Sequence, residues 1–361
     1  MATNIKVLLF EDTVETRAEV LKALRKHLKR YGSVIPFESS RLTETDTGKE
    51  RMYEARLKDI LTRAPYDGGT LIVVDQNLAK SDDFKGLSVS AVAAVSKTLA
   101  IPICEYARLP HADDYEWRRR WEEGHIVLDF TDLDELARLA AVAARGFAEI
   151  AARLRRVMRD GDNNSLATIL AAVLGKKGCS GKIALYGVGE KRLSDIPART
   201  QQAEQEKQRM MTTFLGYWLW SSLLRYPGLL VNEVAAASYL NIETADFRKP
   251  RVQEVFKKAL YRGPFADFKR PQWWRGTLDD IVSHENCANG LELVRKKVGM
   301  RISRSKCSVD PSKPAGYYCI ISHKPVGLEN SKGGLSWFPR GADLTRISDP
   351  MLEEYGPWFG A

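Results

Sequence analysis

Three carboxylates stand where this chain could concentrate charge. Glu11 and Asp12 directly follow the apolar run Ile5–Phe10 (IKVLLF), and Asp75 follows the run Thr70–Val74 (TLIVV). Two buried strands that both end in acids would set these side chains against one another. Such a cluster repels itself until a hard, oxygen-seeking divalent cation neutralises it. A second set has spacings found in zinc ligation: His284 with Cys287, and Cys319 with His323, with Cys307 nearby. Tetrahedral zinc on these four would let a loop-rich region fold without a large core; ordinary buried cysteines with surface histidines are the alternative. A third set is basic. A helix opening at Pro250 carries Arg251, Lys257, Lys258 and Arg262 beside an apolar stripe of Val252, Val255, Phe256, Ala259 and Leu260. In a helix-turn-helix such a helix enters the major groove with its cations on phosphates, although the turn Asn241–Lys249 is long for that motif, and an amphipathic core helix with a solvated basic face has the same pattern. Tyr186-Gly187-Val188-Gly189 lacks the third glycine and the Lys-Ser/Thr of a phosphate loop. No Ser/His/Asp or Cys/His arrangement has a recognisable local context, so an enzyme reading has no nucleophile to name.

The elements that must position these residues alternate through the first 150 positions. Ile5–Phe10, Ser33–Phe37, Thr70–Val74, Ile101–Tyr106 and His125–Phe130 read as strands. Between them, helical spacing appears at Val14, Ala18, Leu21, Leu24 and Leu28, then at Glu50–Thr62, Gly86–Leu99 and Tyr115–Glu123. Continuous apolar runs are the mark of strands buried on both faces, and strand-helix alternation implies a parallel sheet with helices on both sides. Functional groups in such a sheet gather at the carboxyl ends of the strands. A long Ala- and Arg-rich helix from Asp132 or Asp134 to Arg159 follows, with acids at its start. Its apolar stripe exceeds what a domain-capping helix needs, so the 132–159 helix is a candidate surface for a protein partner or a homodimer.

The five-fold βα order, the acidic pair after the first strand and the aspartate ending the third resemble the receiver domain of two-component response regulators over residues 4–150. The resemblance implies Mg²⁺ in a pocket of Glu11, Asp12 and Asp75, with Asp75 as the phosphoacceptor and nucleophile. Aligned on this family, Ala107 falls where a Ser or Thr is usual, and Thr131, followed by Asp132, falls where Lys-Pro is usual. Both groups that normally hold the phosphoryl oxygens are therefore replaced. The pocket is either a working phosphoacceptor or a relic in a module used for binding.

Beyond residue 160 the pattern changes. Asp160–Asn164 (DGDNN) is a breaker cluster, followed by a helix Ser165–Leu174, a strand near Ile183–Tyr186 and a helix Ala198–Leu224 that is polar first and apolar later. After Gly263-Pro264 the chain is loop-rich and aromatic. The expected architecture is α/β, an N-terminal five-stranded parallel doubly wound sheet with a mostly helical, loop-rich C-terminal region, divided as 1–159, 160–262 and 263–361.

Composition narrows the function. The 361 residues are 44% hydrophobic and 28% charged, which excludes a wholly disordered chain. The longest apolar run, Phe214–Leu224, falls well short of the ~20 residues of a membrane span. The first residues contain no signal-peptide core, so the chain is expected to start near residue 1 in the cytoplasm. Five cysteines make an odd set, and a disulfide framework is not expected. Residues 1–150 hold 22 Lys and Arg against 25 Asp and Glu, a net −3, which leaves 33 against 21, a net +12, for residues 151–361. That surplus suits DNA or RNA, or an acidic protein surface. Two functions follow: a response-regulator-like signalling protein with a basic, nucleic-acid-linked output region, or an adaptor or sensor that binds proteins through a degenerate receiver and an aromatic C-terminal domain in a multi-component signalling or defence complex.

Overall fold

The computed structural model describes residues 5–38, 40–43, 53–78, 87–107, 126–129, 132–159, 165–187, 201–268 and 270–359. The chain forms two compact units, the first made of residues 1–163 with 191–217 and the second of 164–190 with 218–361.

In the first unit, β1 (Ile5–Phe10), β2 (Gly32–Pro36), β3 (Leu71–Asp75), β4 (Ile103–Ala107) and β5 (Ile126–Asp129) make one all-parallel sheet of order β2-β1-β3-β4-β5. Its helices are α1 (Val14–Leu28), the one-turn α2 (Ser40–Thr43), α3 (Tyr53–Leu61), α4 (Val89–Leu99) and α5 (Leu133–Arg159). The strands are apolar on both faces because both faces are covered. Leu8, Phe10, Ile72, Val74 and Ile103 share a core with Leu57 and Leu61 of α3 and Val92 and Val95 of α4. The opposite face lies under α1 and α5, which also pack on each other. The doubly wound architecture is thus as the strand-helix alternation predicts. The expected helix Tyr115–Glu123 lies outside the described residues.

α5 starts where its acids predict, with Asp132 Oδ1 accepting from Glu135 N at 2.8 Å. Its stripe from Leu136 through Phe147 to Leu154 is buried. The chain returns to cover it: in the helix Gln201–Trp218, Tyr217 sits edge-on to Phe147 with centroids 5.6 Å apart, and Gln208 Nε2 donates to Ala151 O at 3.4 Å. Much of the stripe read as a surface for a protein partner or a homodimer is thus covered within the unit, by α1, the sheet and this returning helix.

The second unit is mostly helical and loop-rich, with short sheets. Leu230–Asn232 pairs antiparallel with Gln272–Trp274, and a four-stranded sheet runs in the order Ser331–Gly333, Thr345–Ser348, Tyr317–Cys319, Pro325–Val326. One core joins Val234, Phe247 and Phe256 to Trp273, Leu278, Leu293 and Tyr318. The division at 262/263 that the sequence suggests thus passes through a single core. Ile183–Tyr186 is not a strand; Ser180–Ala184 is helical, with Ile183 and Tyr186 both buried. Among the described residues, no helix is long and apolar enough to cross a membrane.

Candidate functional site

Strand register builds the acidic pocket. β1 and β3 are neighbours, with Leu9 opposite Val73 and Phe10 opposite Val74, so the residues just past β1 meet the end of β3. Asp75 in turn lies opposite Tyr106 of β4. Side chains alternate along a strand, and the face opposite Phe10 and Val74 therefore receives Glu11, Asp75 and Tyr106 together. Ligand oxygens of Glu11, Asp12 and Asp75 all lie within 4.8 Å of one another, the only such group of three or more acids, cysteines and histidines among the described residues.

Each carboxylate is held. Glu11 and Asp12 are only 1% and 2% exposed, whereas Asp75 is half-buried. Thr13, which precedes α1, donates its N–H to Glu11 Oε1 at 2.9 Å and its hydroxyl to Asp12 Oδ1 at 3.2 Å. Asp75 Oδ1 accepts from Asn77 N at 3.1 Å, which fixes the carboxylate in the turn after β3. The buried Tyr106 hydroxyl donates to Glu11 Oε2. Burial raises the pKa of Glu11, and the charges of Asp75 and Asp12 raise it further against the lowering hydrogen bonds of Tyr106 and Thr13. Burial and the adjoining carboxylates likewise raise the Tyr106 phenol, so it stays a neutral donor. Three oxygen ligands with excess negative charge fit a hard divalent cation and could hold a metal ion.

Tyr106 was legible only as a strand residue; its part in the pocket depends on the β3–β4 register, though its place at a strand end facing the acids' side was a usable signal. Ala107 ends β4, and Thr131 lies outside the described residues.

The four expected zinc ligands are not brought together as a metal group. Cys319 is buried, and its Sγ accepts from Ser322 N and Ser348 N, each at 3.4 Å, while His323 Nδ1 pairs with Tyr318 Oη at 2.5 Å. Cys287 Sγ points to Glu285 O at 3.5 Å, and His284 ends the helix Arg275–His284. The region does not lack a core, since helices Arg275–His284 and Gly290–Val298 supply Leu278, Leu293 and Val294 to it.

The expected recognition helix is also different. Pro250–Val255 is only six residues long and carries Arg251, whereas Lys257 and Lys258 lie in a separate 3-10 turn and Arg262 beyond it. All four are exposed, and Lys257 is paired with Glu254 at 3.0 Å. The apolar pattern from Val252 to Leu260 spans two short elements because Phe256 leaves helical geometry, at φ −102° and ψ 11°.

Comparison with family models, with curated proteins and with solved structures finds no match.

Proposed function

We propose that this chain is a response-regulator-like signalling protein: the first unit is a cation-dependent phosphoacceptor module, and the basic second unit is its nucleic-acid-linked output. The observation that carries the reading is the convergence of Glu11, Asp12 and Asp75 within 4.8 Å at the carboxyl edge of the sheet, with Asp75 the most exposed of the three. Glu11, Asp12 and Asp75 would hold Mg²⁺, which when bound supplies positive charge against the carboxylates and an incoming phosphoryl group. Asp75, oriented by Asn77 N–H, attacks the phosphorus of a small phosphodonor. A new phosphorus–oxygen bond forms as the donor's bond to phosphorus breaks, and the leaving group departs with the bonding pair. Thr131 cannot replace the usual lysine's charge, nor Ala107 the usual hydroxyl, so the acyl phosphate has fewer partners than in the family it resembles.

The test is incubation of the whole chain with a small phosphodonor and Mg²⁺. A mass gain of one phosphoryl group, abolished by Asp75→Asn, is the expected outcome; no gain at any Mg²⁺ concentration would overturn it. The adaptor reading has one observation in its favour. The Tyr106 hydroxyl engages Glu11, as a pocket retained for its fold rather than its chemistry would permit. The net +12 of residues 151–361 favours nucleic acid as the output partner over this alternative.

A further inference from the structure

The sequence from Leu293 to Val309 contains six cations and no acid. Its second half, Arg301–Lys306, is neither helix nor a continuous strand, yet it is fastened at close intervals. Ile302, Ser305 and Cys307 are buried at 1%, 0% and 1% exposure. Arg295 Nη2, on the helix Gly290–Val298, donates to Ile302 O at 2.7 Å. Ser303 N donates to Asp246 Oδ2 at 2.7 Å, and Ser303 O accepts from Glu243 N at 2.9 Å. Cys307 N donates to Lys313 O at 3.0 Å and Ser308 N to Pro325 O at 2.9 Å. Ile302 and Ser305 are buried between them, while Arg301, Arg304 and Lys306 are all exposed, and none takes part in an ion pair among the described residues.

The acids bordering this segment are largely spoken for. Burial pushes the Asp246 carboxyl up, but Lys249 at 2.6 Å and Ser303 N–H outweigh it and hold it below the ordinary value. Asp310 accepts from Ser312 N and Oγ, at 3.0 and 2.6 Å. Glu243, half-buried, is one acid against three cations. Five residue steps can span at most roughly 17 Å, the rise of on the order of five nucleotides in one strand of a duplex. Cations carried on a backbone that is already fastened lose less freedom on meeting phosphates than cations on a segment that must first be ordered.

We propose that Arg301–Lys306 is a preformed phosphate-binding strip that tracks a nucleic-acid backbone, with Arg301, Arg304 and Lys306 as the contacting cations. This rests on the nucleic-acid-linked reading of the second unit and names its surface. The contacts carry charge and no base recognition, so binding is expected to be nearly independent of sequence.

The experiment measures binding of the whole chain to a labelled single-stranded oligonucleotide and to its duplex across a salt series. Two triple variants are compared with the unaltered chain: Arg301→Gln/Arg304→Gln/Lys306→Gln, and Arg251→Gln/Lys258→Gln/Arg262→Gln. All these side chains are exposed, and unchanged circular dichroism confirms that the variants fold. The strip variant should bind about ten- to a hundredfold more weakly at low salt, and the log-log salt slope should flatten by about 2 on single strands and about 2.7 on duplex. Arg301→Lys/Arg304→Lys should retain most of the affinity. Equal binding by the strip variant, with loss in the other triple, would overturn the strip and leave nucleic-acid binding standing. An unaltered chain that binds neither oligonucleotide at low salt would overturn both, and binding to polyglutamate instead would assign the surface to an acidic protein.

Discussion

At Glu11 the fold pushes a carboxyl toward its protonated form while a metal would demand the opposite. Its pKa is raised in the folded chain, chiefly by burial. A carboxyl of this kind contributes its stability at pH values below its unfolded pKa and loses that contribution as pH rises through the higher, folded value. Without divalent cation, the melting temperature should therefore fall as pH climbs from the acidic side through the raised Glu11 pKa, and Glu11→Gln should remove that fall. Divalent cation should reverse the trend, since it binds the ionised form. Mg²⁺ affinity measured by calorimetry should rise with pH over the same window, and a flat profile would separate Glu11 from the ligand set. Tyr106→Phe removes a hydrogen bond that lowers the Glu11 pKa, so the cation-binding profile should move to higher pH. The three carboxylates were legible because each ends an apolar run. Tyr106 was not, for its partner lies 95 positions away. Cys319 looked like a metal ligand for the same reason, because the N–H groups of Ser322 and Ser348 that occupy its sulfur are brought there only by folding.

Among elements, β4 is held at both ends by tyrosines. Tyr106 reaches the pocket at its carboxyl end, while near its start Tyr217 Oη accepts from Ile103 N at 2.6 Å and donates to Ile103 O at 3.3 Å. Among the described residues, β5 joins β4 from Cys104 onward, and the Tyr217 hydroxyl partners the backbone of Ile103 just before it. Tyr217→Phe should cost about 1–3 kcal/mol by leaving buried backbone groups unmatched, read as a lower urea midpoint with an unchanged slope. Gly216 lies against α5, where an added Cβ would stand 2.2 Å from Phe147 Cε1. Phe147 is fully enclosed, and Gly216→Ala should destabilise by a further ~1–3 kcal/mol through overpacking; a neutral result would mean that the helix Gln201–Trp218 is free to move off α5. The five strands were readable because burial on both faces leaves an unbroken apolar run. Ile183–Tyr186 misled because a short apolar run does not declare its period, and here Ile183 and Tyr186 sit three apart on a helical turn. The segment from Pro250 shows the reverse error, a helical period carried across two short elements.

For the whole molecule, the division into units does not follow the order of the chain. The polypeptide leaves the first unit at Asn163, contributes 164–190 to the second, returns with 191–217, and leaves again. A fragment ending at residue 163 lacks the helix that covers α5. It should melt lower and bind a hydrophobic dye more strongly than a fragment in which 191–217 is rejoined to 1–163 by a flexible linker. Equal melting of the two would mean that the returning helix adds nothing to the first unit. The sequence pointed to a break near Asp160 because DGDNN is a strong turn signal, but no local pattern marks a segment as belonging to an earlier fold. That return sets a timetable on the ribosome. The partner of Phe147 is made only when Tyr217 is made, roughly 3–12 s after Arg159 at ordinary rates of synthesis. Through that interval an apolar helix face waits without its cover while part of the second unit emerges, so the nascent chain is most open to chaperones and to misassembly after its sheet is complete and before its last helix has come back.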